Sequence, residues 1–211
     1  MAIRAMPATS KRSSREDILA ATLEIMDGDG AESVTMRQVA AAARITPMAI
    51  YKHFPNRDAL LVAAASAEYR RIAGYFARAN ARTEVKGLRG MLGYLDYALD
   101  HPQLFRFMFS GSRPEAFQFP DGASTDKSPT FGLLQSVVLQ LMEKGVLKRD
   151  DAAETALSIW AHAHGLIALH LSGRIKLPPK AFRELYMRSL DRLLWGLGHE
   201  PPDNGGGAMP R

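Results

Sequence analysis

The 211-residue sequence has no cysteine. That absence excludes a disulfide framework, thiolate metal sites and a cysteine nucleophile, and fits a reducing compartment, the cytoplasm by default. It also lacks the run of about 20 apolar residues that a bilayer-spanning helix requires. The stretch "LSIWAHAHGLIALHL" is shorter and is interrupted by His162, His164 and His170. The opening "MAIRAMPATSKRSSRED" has no apolar core, so residues 1–13 read as a flexible basic arm rather than a signal peptide or anchor. Gly-x-Ser-x-Gly, His-Glu-x-x-His and paired-carboxylate arrangements are missing, which leaves an enzyme unsupported. One further lack is local: residues 33–57 contain no Asp or Glu, yet carry Arg37, Arg44, Lys52 and Arg57.

What is present is apolar and helical. A hydrophobic content of 46% supplies a core, and a formal net charge of +5 makes anionic partners plausible. Ser13 and Glu16 form a capping-box pattern that opens a helix with Ile18, Ala21, Thr22, Ile25 and Met26 on one side. "DGDGAE" ends it; its spacing does not match a calcium loop, which needs Gly at the sixth position and Glu at the twelfth. Thr35 and Gln38 repeat the capping pattern for a short helix from Met36. Thr46 followed by Pro47 caps a third helix, expected to run to Phe54, and Asn56 caps a longer fourth. Downstream helices are marked by Leu88, Met91, Leu92, Leu95 and Leu99; by "QLFRFMF"; by Phe131, Leu134, Val138 and Leu141; by Leu157, Trp160, His164, Ile167 and Leu171; and by Phe182, Tyr186, Leu190, Leu193 and Leu197. Gly87, Gly90 and Gly93 recur at a spacing that fits close helix packing rather than a phosphate cradle. No strand pattern stands out, so the fold class is all-α. The expected organisation is the arm, a helix-turn-helix unit over residues 14–60, a C-terminal helical unit over 61–197, and a Pro/Gly-rich disordered tail over 198–211.

Two short helices joined by a minimal turn form a helix-turn-helix, whose second helix fits the major groove of B-DNA. Carboxylates are repelled by the phosphate backbone, so the acid-free stretch is what a DNA-facing surface requires. Four cations without acids are equally what a solvated face carries. Tyr51 and Phe54, aromatics at helical spacing, both read as core on pattern alone.

"TMRQVA", the capping threonine, "IYKHF" and "NRDALL" together resemble the TetR family of transcriptional regulators. Further on, "HPQLFRFMF", "EKGVL" and "WAHAHGLIALHLSG" resemble a C-terminal subgroup named for its Trp-His-Gly pattern, here Trp160, His164 and Gly165. The resemblance implies a homodimeric repressor with a helical ligand-binding and dimerisation domain, a near-palindromic operator as partner, and a small-molecule effector that releases the DNA. Carried over by position, Arg37, Pro47, Met48 and Ala49 face bases, while Thr35, Thr46, Tyr51, Lys52, His53 and Arg57 lie near phosphates. Arginine is the commonest reader of guanine, whereas Met48 and Ala49 can make only apolar contact, so specificity leans on Arg37 and on DNA shape. Arg44 departs from the pattern, because the family most often has glycine in that turn.

On a helix the three histidines point in different directions and do not converge on a metal. His164 shares a face with Trp160 and Ile167, which favours a buried, satisfied side chain. The functional alternative is an effector site touched by Phe105, Met108, Trp160 and His164, and such flat or flexible side chains suit an apolar or aromatic ligand. No cofactor is expected. The rival readings are an architectural DNA protein without an effector and a small helical enzyme built on the same N-terminal fold.

Overall fold

A computed structural model describes residues 14–81, 90–109, 119 and 129–198. Among them the chain forms nine α-helices and no strand: α1 (Ser14–Asp29), α2 (Met36–Ala42), α3 (Pro47–Tyr51), α4 (Arg57–Ala81), α5 (Gly90–Asp100), α6 (Pro102–Phe109), α7 (Pro129–Glu143), α8 (Ala152–Leu171) and α9 (Pro179–Gly198). A single 3-10 turn, Ala31–Ser33, follows α1. The arm, Ser13, Gly87, Leu88 and the tail beyond Gly198 lie outside the described residues.

The helices group into two compact units. The first holds α1 to α3, α4 as far as Glu68, and α6; the second holds α4 from Tyr69, α5, α7, α8 and α9. In the first, α2 packs on α1 and on α3, burying Ile18, Met26, Val39, Ile50 and Phe54. The buried Thr22 hydroxyl is satisfied locally, donating to the Ile18 carbonyl at 2.7 Å. Asn56 caps α4 as its chemistry requires, its Oδ1 accepting from the Ala59 amide at 2.8 Å.

In the second unit α8 packs against α5, α7 and α9. Asp151 caps α8 by accepting from the amides of Ala153 and Glu154. Tyr186 of α9 is buried and donates its hydroxyl to the Met91 carbonyl of α5 at 2.9 Å, and burial pushes its phenol well above the usual range. The core face of α5 is built from Met91, Tyr94, Leu95, Tyr97 and Ala98, with Leu92 and Leu99 only half-buried. The aliphatic stripe expected from the sequence therefore understates the tyrosines, which carry much of the burial here.

Gly93 shows why α5 needs a residue without a side chain. A Cβ there would press on the Tyr75 carbonyl of α4 and lie 2.9 Å from the Phe76 amide nitrogen. Backbone cannot swing aside as a flexible side chain can, so the helices would have to separate. Gly93→Ala is expected to cost about 1–3 kcal/mol of stability by overpacking, despite alanine's better helix propensity. Urea denaturation of the two proteins measures it; an unchanged midpoint would contradict the close approach.

Candidate nucleic-acid interface

The turn between α2 and α3 is set by three residues. Thr35 starts α2, its hydroxyl oxygen accepting from the Gln38 amide at 3.2 Å and its proton going to Gln38 Oε1 at 2.7 Å. The helix then ends in a Schellman motif: the Ile45 amide donates to the Ala40 carbonyl at 3.0 Å and the Arg44 amide to the Ala41 carbonyl at 3.2 Å. Arg44 sits at the left-handed position of that motif, with φ 57°. The endings of α7 and α8 repeat the same two hydrogen bonds, but with Gly145 at φ 69° and Gly173 at φ 74°. Only one residue separates Arg44 from Thr46, the cap of α3, whose hydroxyl accepts from the Ala49 amide at 3.3 Å. Pro47 occupies the first turn, where its missing N–H costs nothing. α3 is shorter than expected. Its regular part stops at Tyr51, and the amides of His53 and Phe54 both turn onto the Ile50 carbonyl, because Pro55 keeps Phe54 out of the helical region.

This geometry sorts α3 into two faces. Ile50 is fully buried, and Phe54 beyond the helix is buried with the Arg15 guanidinium 5.1 Å above its ring. Met48, two residues or about 200° from Ile50 around the helix, points the opposite way and is 72% exposed. Tyr51 is 50% exposed. Thr35, Arg37, Arg44, Thr46, Pro47, Lys52 and His53 are also exposed, and Ala49 is half-buried. Among the described residues the side chains of Arg37, Arg44, Lys52 and His53 have no partner within the chain.

Arg57 is different. Its Nε donates to the Val34 carbonyl at 2.8 Å and its Nη2 to the Ala31 carbonyl at 2.7 Å. Those bonds take two guanidinium nitrogens and make a structural tie between the start of α4 and the segment leading into α2, a role beyond the phosphate contact expected of it. The sequence carried no signal for this, since the acceptors are backbone carbonyls 23 and 26 residues away.

The four residues expected at an effector site divide between the units. Phe105 and Met108 are buried in the first; Trp160 and His164 are half-buried in the second. The latter two meet at Tyr94, a residue the sequence reading did not single out. Trp160 Nε1 donates to the Tyr94 hydroxyl at 3.2 Å, and that hydroxyl lies 3.0 Å from His164 Nδ1. Phe131 abuts Trp160 edge-on at 6.3 Å. Burial raises the Tyr94 phenol far above its usual range and lowers His164. Neutral imidazole can accept the phenol proton at Nδ1, and imidazolium cannot. The other two histidines of α8 serve elsewhere: His162 pairs with Ser189 at 2.9 Å, and His170 bonds the Ile175 carbonyl at 3.0 Å while stacking on Phe182.

A helix-turn-helix with this exposed cationic face defines a DNA-binding regulator, and the relatives agree. Residues 18–64 match the family described as "Bacterial regulatory proteins, tetR family", and residues 88–193 match the "Tetracyclin repressor-like, C-terminal domain". The chain is 30% identical over 156 residues to the HTH-type transcriptional repressor KstR of Mycolicibacterium smegmatis, covering 72% of this chain and 74% of that one. The chain belongs to the TetR family of transcriptional regulators, which are not enzymes. The C-terminal match is described at the level of the repressor-like domain and does not name the Trp-His-Gly subgroup. Among solved structures, a Rhodococcus protein of unknown function shares the fold with TM-score 0.73 at 24% identity, covering 92% of this chain and all of that one. A TetR-family regulator from Pectobacterium atrosepticum does so with TM-score 0.66 at 19% identity, covering 90% and 96%. Among the described residues no helix is long and apolar enough to cross a membrane.

Two expectations follow from this geometry. The left-handed conformation costs a non-glycine residue roughly 1–2 kcal/mol, and glycine's greater freedom in the unfolded chain returns about 0.4–1 kcal/mol of that. Arg44→Gly is therefore expected to stabilise the fold by roughly 0.5–1 kcal/mol, seen as a higher denaturation midpoint; a lower one would contradict the assigned φ. The second concerns His164. The unfolded state, with the ordinary imidazole pKa near 6.5, takes up a proton before the folded state does, so stability is full above that pH and declines as pH falls below it. Denaturation between pH 7.5 and 5 should show a shallower decline for His164→Gln; an identical decline would show that His164 is not held neutral.

Proposed function

We propose that the protein is a transcriptional repressor that binds a near-palindromic operator as a homodimer and leaves it when a small apolar or aromatic effector binds. Residues 14–60 act as the reader and 61–197 as the dimer and effector module, in the cytoplasm. The observation that carries this reading is the set of exposed side chains with no partner inside the chain, Arg37, Lys52 and His53, beside Tyr51 on an acid-free helix-turn-helix. Buried apolar side chains are explained by a core, but the exposed, unpaired Arg37 and Lys52 on a stretch without carboxylates suit an anionic partner. The KstR relatives, named as transcriptional repressors, support the direction of regulation. Leu169 and Trp195 stand exposed on α8 and α9 and supply apolar surface for a second copy, and a two-fold dimer reads two copies of one half-site. Trp160, His164 and Tyr94 give the effector module its polar contacts beside an aromatic wall. Genomic pull-down with sequencing yields the operator, and sedimentation yields the dimer; an asymmetric site or a monomer at micromolar concentration contradicts the proposal.

Arg37 and Lys52 divide the labour. With Arg37 on a base edge, Arg37→Ala costs about 1–3 kcal/mol on the operator and relaxes preference at one base pair per half-site. With Lys52 on a phosphate, Lys52→Ala weakens operator and scrambled DNA alike and flattens the salt dependence by roughly two units for a dimer. Titrations of both variants at several salt concentrations decide it: equal weakening of all sequences by Arg37→Ala, or an untouched slope for Lys52→Ala, contradicts the docking.

A further inference from the structure

Met48 poses a separate question. It is the most exposed apolar side chain of α3, 72% exposed and about 200° around the helix from the buried Ile50. A thioether in water gains nothing there, whereas one covered by an apolar group of a partner is removed from water at a gain. Its surroundings restrict what can cover it. Tyr51 and Lys52 lie three and four residues on, along the same exposed side, and no carboxylate occurs within residues 33–57. The partner must therefore be an anion that also presents an apolar group of small size. Duplex DNA has one such group on its major-groove edges, the C5-methyl of thymine. Pro47 and Ala49, the neighbours of Met48, offer no hydrogen-bonding side chain, so this part of α3 can discriminate bases only through apolar contact.

We infer that Met48 reads a thymine methyl, so that each half-site contains an A·T pair fixed by its methyl group rather than by hydrogen bonds. This rests on the operator-binding reading above and adds to it a base identity that Arg37, a guanine reader, does not supply. It also replaces part of what would otherwise fall to DNA shape, because a methyl contact is direct readout.

The test uses the full chain and an operator obtained by selection. Each thymine in a synthetic duplex is replaced in turn by deoxyuridine, which removes the methyl and leaves pairing intact. One position per half-site should lose affinity about fourfold, and both together about 15-fold, the effect of withdrawing one buried methyl at each. Met48→Ala, a change at an exposed position, should bind the thymine and uracil duplexes equally while keeping the salt slope of the native protein. Equal binding of both duplexes by the native protein overturns the inference while leaving operator binding intact. A uracil effect that persists in Met48→Ala overturns the assignment to Met48. Failure to select any duplex overturns the operator-binding reading, and this inference with it.

Discussion

The hydrogen bond from the Ile45 amide to the Ala40 carbonyl, 3.0 Å long, decides what the first unit can do. It ends α2 abruptly and turns the chain so that one residue later Thr46 caps the next helix. A longer loop would leave α3 free to swing; this one fixes it, and so fixes which side chains face outward. The bond requires its neighbour at the left-handed position, and that neighbour is Arg44 with φ 57°. Where the same motif closes α7 and α8, glycine takes the place without strain. The first unit therefore carries a backbone penalty at its most consequential turn, in a residue whose charge adds to the cationic surface.

Two other interactions hold that arrangement. Ile50 anchors the inner side of α3 in the core, which forces Met48 outward by the helix period alone. Arg57 then fastens the segment before α2 to the start of α4 through two backbone carbonyls. Of the cations in this stretch one makes a structural tie, and Arg37, Arg44 and Lys52 are exposed. Charge that looked uniform along the chain is divided by geometry into a tie and a surface.

Much of the local chemistry was legible in the sequence, though not all of it: the Asp151 cap of α8, with partners two and three residues on, was not. The caps Thr35, Thr46 and Asn56, the helix-turn-helix, the core role of Phe54 and the tight packing at Gly93 all follow from short spacings or from patterns of size. Contacts spanning long separations were not legible. The bond from Trp160 to Tyr94 joins residues 66 apart, and that between Tyr94 and His164 joins residues 70 apart, so nothing along the chain marks them as a group. Aliphatic spacing does not mark the tyrosines of α5, although a phenol with a hydrogen-bond partner buries as well as leucine. The tie made by Arg57 was hidden for the same reason of distance.

The central claim is that the acid-free surface of α2 and α3 meets phosphate. It is tested most directly by the salt dependence of the native protein's affinity for its operator. With Lys52 of each subunit of the proposed dimer neutralising a phosphate, log affinity should fall against log salt with a slope of roughly −2 or steeper. A slope near zero would mean that the exposed cations do not touch the backbone, and would contradict the account.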